Sequence, residues 1–292
     1  MGIIRSNAEF YLGARARGVD FTRTLTLGRQ RWYLRPYERR RLIARHPDVH
    51  DTLGGLRYGE PADAFFTRMP GVDDLQSLDH SAYEGATLTH DLNLPLPRDL
   101  DGQFDAVIDS GTLEHVFNVP IALANCMRLV KRGGSVFISS PANNLCGHGF
   151  YQFSPELFFR LFAETNGFKL TRLFLVTHPF PGAELSARQT WYEVTDPATS
   201  GARTPLMTST PAFLMLEARR VGDVPLVLVA PQQSDYVARW QAPHSPNPAT
   251  ASREVLRRLA RRLPLWARGF LTGWYQRGVL YTLRNRRAFR RL

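Results

Sequence analysis

Three aspartates stand where predicted strands end. Leu75-Gln-Ser-Leu78 runs into Asp79, Ala86-Thr-Leu-Thr-His90 into Asp91, and Phe104-Asp-Ala-Val-Ile108 into Asp109-Ser110-Gly111. A carboxylate in such a place faces a crevice beyond the strand, where it suits hydrogen bonds from a ligand's hydroxyls or amines. Glu114-His115 follow closely and either contact a ligand or, for Glu114, cap a helical turn. The segment Pro141-Ala-Asn-Asn-Leu-Cys-Gly-His-Gly-Phe-Tyr-Gln-Phe-Ser-Pro155 places His148 between two glycines. Imidazole titrates near neutrality, so His148 suits a general base for an acceptor hydroxyl. The competing reading is that it braces its loop. No metal site is expected, because a stable site needs three or four ligands and no second histidine lies one helical turn from His115.

These residues need elements to position them. Residues 3–17 and Pro36–His46 read as helices, and Phe21–Leu27 as a strand that ends at Gly28-Arg29-Gln30. Pro120–Lys131 reads as a helix closed by Gly133-Gly134, followed by a strand over Ser135–Ser139. Ser154 with Pro155 opens a helix running to about Asn166. Phe168–Val176, Thr190–Val194 and Phe213–Ala218 are further strands. Strands alternating with helices predict an α/β fold with a doubly wound, mostly parallel sheet.

The ordered set Phe104-Asp-Ala-Val-Ile-Asp-Ser-Gly-Thr-Leu-Glu-His-Val116, a helix, Lys131-Arg-Gly-Gly134, an apolar strand and Asn-Gly-Phe168 resembles the central and C-terminal half of class I S-adenosylmethionine-dependent methyltransferases. The resemblance covers residues 73–180, with weaker support back to Phe21. It implies a Rossmann-like sheet with an antiparallel last strand and S-adenosylmethionine as cofactor. It implies that Asp79 accepts the ribose hydroxyls and that Asp91-Leu92 meets the adenine. Asp109, Ser110, Gly111 and Thr112 would line the cofactor and acceptor pocket. The chain departs from the family at the first strand. The family's glycine-rich turn is replaced by Leu27-Gly28-Arg29-Gln30-Arg31, with one glycine. Either Arg29 or Gln30 fills space near the cofactor's carboxylate, or the site is degenerate, or Gly28 is only a tight turn.

Charge separates a body from a tail. The chain has 292 residues, 37 Lys+Arg against 26 Asp+Glu and a net charge of +11. Residues 253–292 hold twelve arginines and one acid, Glu254, so the first 252 residues are neutral. The expected division is a methyltransferase-like domain over 1–230, a Pro/Ser-rich linker over 231–252 and a basic amphipathic helical tail over 253–292. In that tail Leu256, Leu259 and Leu263 share a face among arginines, and Trp266, Phe270 and Trp274 follow. Rings and guanidinium groups on one element suit an anionic membrane surface better than nucleic acid. No apolar run reaches the length of a membrane span. Cys126 and Cys146 exclude a disulfide scaffold or a multi-cysteine zinc site.

The expected activity is methyl transfer to a hydroxyl or amine of a small-molecule, glycan or lipid acceptor, in the cytoplasm or at the inner face of the membrane. The alternative is a non-catalytic module of the same fold that docks through its tail. A nucleic-acid methyltransferase is disfavoured, since Asp-Ser-Gly-Thr stands where many amino-methylating enzymes of that class carry Asn/Asp-Pro-Pro-Tyr.

Overall fold

The computed structural model describes residues 2–178, 188–201, 203–241 and 263–292. One nine-stranded sheet organises the chain. Its strands, numbered along the sequence, are β1 Arg23–Leu27, β2 Asp74–Asp79, β3 Leu88–Thr89, β4 Phe104–Asp109 and β5 Val130–Asn143. They continue as β6 Phe168–Thr177, β7 Thr190–Val194, β8 Ala212–Arg220 and β9 Phe289–Arg291. The spatial order is β9-β7-β6-β8-β5-β4-β1-β2-β3. Strands β1 to β5 pair in parallel. Strand β8 lies between β5 and β6 and is antiparallel to both. The strand order turns back at β1 and β4, the switch point at which such sheets bind ligands.

Alternation along the strands builds two cores. Leu25, Leu27, Val107, Val136 and Ile138 pack on one face with the helix Val119–Leu129. Ala106, Ile108 and Phe137 pack on the other, against the N-terminal helix Arg5–Ala16. Phe137 is the hub there: it stacks on Phe21 at 5.3 Å and meets Phe10 and Tyr11 edge-on at 5.8 and 5.6 Å.

The glycine pair predicted to stop a helix does something else. The helix ends at Leu129, and β5 starts at Val130 and runs through Gly133-Gly134. The pairing register with β4 jumps from Val130 to Ser135 over two residues of β4, so the glycines sit in a bulge. A Cβ on Gly134 would lie 2.5 Å from the Asp105 carbonyl, which only glycine avoids. Ser154 caps the helix Pro155–Leu161 as expected, accepting the Glu156 N–H. That helix is shorter than predicted, because the chain changes to a tighter turn at Glu164–Asn166 and leaves it through Gly167 at φ +74°.

Two features alter the picture of the tail. A helix, Ser234–Gln241, occupies part of the Pro/Ser-rich stretch. The end of the tail joins the sheet, with β9 pairing antiparallel to β7 and Phe289 buried in the main core. The amphipathic helix expected at 253–263 lies outside the described residues, apart from Leu263. A second tail helix, Leu265–Tyr275, is described, and Trp266, Phe270 and Trp274 on it are exposed. No helix among the described residues is long and apolar enough to cross a membrane.

Candidate functional site

Strand register gathers the acids on one crest. Leu27 at the end of β1 lies level with Leu78 of β2 and with Asp109 of β4. Asp79 is level with Thr89 of β3, two residues before Asp91. Asp79, Asp91 and Asp109 therefore stand along the carboxyl ends of four adjacent strands. Asp79 is half-buried, and one carboxylate oxygen accepts the His80 N–H at 2.6 Å. Asp91 closes a turn, its Oδ1 accepting the Asn93 backbone and side-chain N–H groups at 2.9 and 2.8 Å. Those bonds hold it below its ordinary titration range. Leu92 is buried in the main core, which also holds Leu96 and Leu123.

Asp109 departs from the expectation of an acid open to the crevice. It is 1% exposed, because the turn after β4 folds back and donates the Thr112 N–H to its Oδ1 at 2.8 Å. Burial, with the neighbouring Glu114 carboxylate, pushes Asp109 up to about 8. Folding then takes up a proton on Asp109 through the interval between a free aspartate's titration and about pH 8. Stability must fall as pH rises across that interval, by at most about 1.4 kcal/mol per pH unit for one proton. Asp109→Asn keeps an acceptor for Thr112 and removes this slope. Urea unfolding at pH 6 and pH 8 measures it; an unchanged pH dependence would mean that Asp109 is ionised in the fold.

Ser110 is buried, and its hydroxyl is 2.7 Å from that of Tyr11. Gly111 takes φ +101°, which lets the chain reverse. Glu114 follows in a short turn and is fully buried rather than capping a helix. Its Oε2 accepts the Ser140 hydroxyl at 3.2 Å, and the same hydroxyl lies 3.4 Å from Asp109. The loop after β5 is fastened to Glu114, whose carbonyl accepts the Phe150 and Tyr151 N–H groups at 2.8 and 3.2 Å. Gly149 permits this approach, since a Cβ there would lie 2.8 Å from the Glu114 carbonyl oxygen. His148 is thereby held with Nε2 3.5 Å from Glu114 Oε1, and its ring centre is 5.5 Å from that of His115. The structure thus brings Glu114, His115, His148 and Asp109 together through Ser140.

The turn after β1 does not offer an arginine to a ligand. Arg29 is committed to Asp63, at 2.5 and 2.8 Å, and to the Glu84 carbonyl at 2.9 Å. Gln30 is buried and folds back onto the Leu27 and Gly28 carbonyls. Gly28 takes φ +69° and donates to the Leu78 carbonyl at 2.8 Å, which ties β1 to β2 at the crest. A groove lined by Arg29, Gln30, Pro61, Tyr83 and Gly85 lies over this turn. A larger cleft lies elsewhere, between β7, β9 and residues 282–286.

Sequence reasoning missed Tyr11 and Ser140. Nothing local marks Tyr11, which reaches Ser110 from a helix 99 residues away. Ser140 did leave a signal, a polar residue at the carboxyl end of an otherwise apolar strand.

Comparison with known proteins gives a match over part of the chain. Residues 77–138 match the model of a methyltransferase domain. No curated protein matches. Among solved structures, similarity is remote. The branched-chain polyamine synthase of Thermus thermophilus, in complex with N4-aminopropylspermidine and 5′-methylthioadenosine, is 14% identical with a TM-score of 0.38. The match covers 77% of this chain and 59% of that one. The 1,6-didemethyltoxoflavin-N1-methyltransferase of Burkholderia thailandensis, with bound S-adenosylhomocysteine, is 14% identical over 74% of this chain and 77% of its own, with a TM-score of 0.39. A possible histamine N-methyltransferase of Thermotoga maritima is 18% identical over 73% and 88%, with a TM-score of 0.35. Residues 77–138, the strands and turns that carry Asp79, Asp91, Asp109 and Glu114, are thus similar to a methyltransferase domain.

Proposed function

We propose that the chain transfers a methyl group from S-adenosylmethionine to a hydroxyl or amine acceptor seated between the crest of β4 and the loop after β5. The observation that carries this reading is the alignment of Asp79, Asp91 and Asp109 along adjacent strand ends at the switch point of the sheet. Asp79 takes the ribose hydroxyls, and the Asp91-Leu92 backbone frames the adenine. Gly28, Ser110 and Gly111 let the chain approach the rest of the cofactor. The methyl donor is an electrophilic sulfonium, so the protein's task is to orient the acceptor and remove its proton. The cluster of His148, His115 and Glu114 faces the acceptor side and performs that removal.

Isothermal calorimetry with S-adenosylhomocysteine tests the reading. Binding of one equivalent in the micromolar range is expected. Absence of binding up to about 1 mM, which corresponds to roughly −4 kcal/mol, would favour the non-catalytic module. That alternative draws on Gln30, which fills the turn where the family carries glycines.

For the tail, the exposed Trp266, Phe270 and Trp274 recur every four residues on one helix face, with Arg277 on the same side. This supports a peripheral site on the anionic inner face of a membrane and a glycan or lipid acceptor held there. The full chain should float with phosphatidylglycerol vesicles, and a Trp266→Ser/Phe270→Ser/Trp274→Ser variant should not. Equal partitioning of the two would reject the membrane assignment.

A further inference from the structure

Glu114 is an unusual acid. It is fully buried, Ser140 satisfies one oxygen, and the other, Oε1, accepts no hydrogen bond from the described residues. An unpaired acceptor in that position is costly unless another group completes it. What lies around Oε1 is specific. His148 Nε2 is 3.5 Å away, and His115 is next to Glu114 along the chain. One carboxylate oxygen and one nitrogen from each imidazole all lie within 4.8 Å of one another. The arrangement is fixed by backbone. Two N–H groups clamp the loop onto the Glu114 carbonyl, and the Leu145 N–H donates to Gln152 Oε1 at 3.0 Å to close the loop's base.

A cation bound to nitrogen and carboxylate oxygen has bonds of about 2.0–2.2 Å. Donor atoms around one such ion are therefore at most about 4.4 Å apart. The cluster needs to contract by only a few tenths of an ångström, and two of its three side chains are exposed. Two imidazoles and one carboxylate are borderline ligands, suited to Zn²⁺ or Mn²⁺, whereas Mg²⁺ and Ca²⁺ prefer all-oxygen sets.

We propose that Glu114, His115 and His148 form a binding site for one divalent transition cation, open on its exposed side to the methyl acceptor. Glu114 anchors the ion from the protein side, and Ser140 orients the carboxylate. The remaining positions accept water or an acceptor oxygen. A hydroxyl bound there loses its proton to solvent more readily, because the cation stabilises the oxygen left behind. The cluster would then remove the acceptor's proton through the cation rather than by an imidazole alone. This role rests on the methyl-transfer reading, while the binding site stands without it.

The experiment uses the full chain, stripped with a chelator and titrated by calorimetry with ZnCl₂, MnCl₂ and MgCl₂. One equivalent of Zn²⁺ or Mn²⁺ should bind, and Mg²⁺ should bind far more weakly. His115→Ala and His148→Ala should each weaken binding by about tenfold or more, and Glu114→Gln should do the same. His50→Ala, an exposed histidine elsewhere, should leave it unchanged. Both imidazoles are exposed, so their removal leaves the fold intact, and the two histidine variants suffice if Glu114→Gln fails to fold. Absence of binding, or affinity unaffected by either histidine variant, would overturn the site. S-adenosylhomocysteine titrated into the same samples separates the two readings. Cofactor binding without the metal removes only this inference, and metal binding without the cofactor removes only the methyl-transfer role.

Discussion

Truncating Phe137 to alanine lowers the free energy of unfolding by about 3–5 kcal/mol. The ring is fully buried near the middle of β5, level with Ile108 of β4. Its contacts come from two other segments, Phe21 before β1 and the consecutive Phe10 and Tyr11 of the N-terminal helix. Removing it opens a cavity between helix and sheet that neither can easily fill, since the sheet is fixed by its ladder. Phe137→Leu keeps most of the volume and should cost less than about 1.5 kcal/mol. Urea denaturation measures both. A loss below about 1 kcal/mol for the alanine variant would show that the helix collapses onto the sheet. The effect reaches the site, because the helix that Phe137 anchors also delivers the Tyr11 hydroxyl to Ser110.

Asp79→Ala should weaken S-adenosylhomocysteine binding by about 10–100-fold. A hydrogen bond to a charged group contributes about 1.5–3 kcal/mol, and each 1.4 kcal/mol is a decade in affinity. The substitution should hardly change stability. Asp79 is half-buried at a strand end, and among the described residues its carboxylate accepts only the adjacent His80 N–H. Asp79→Asn, which keeps an acceptor and loses the charge, should fall between wild type and alanine. Calorimetry reads the difference, and unchanged affinity in the alanine variant would place the ribose elsewhere.

The sheet was legible where hydrophobic period and punctuation agreed. Thr190–Val194 appears at the predicted bounds, and the strand leading to Asp109 differs by a single residue. Gly133-Gly134 misled, because two glycines mark a helix stop and a strand bulge equally well. The choice depends on the Asp105 carbonyl, which is near only after folding. The site was legible as residue types and strand-end positions. Its electrostatics were not, since whether Asp109 faces solvent depends on how the 110–115 turn folds back. Arg29 shows the same limit: the sequence places a cation by the turn, but Asp63 claims it from 34 residues away.

Strand β9 carries a consequence for self-association. Without it, β7 with Trp191 and Tyr192 would present an open ladder edge, a template for pairing with another chain. The edge that replaces it is three residues long and includes Arg290 and Arg291, both exposed. Arg290 pairs with Glu193 across the new ladder, while Arg291 extends the positive charge along the rim. Two copies meeting there would bring like charges together. Some of the tail's arginines therefore guard against edge-to-edge aggregation and are not available to read a ligand.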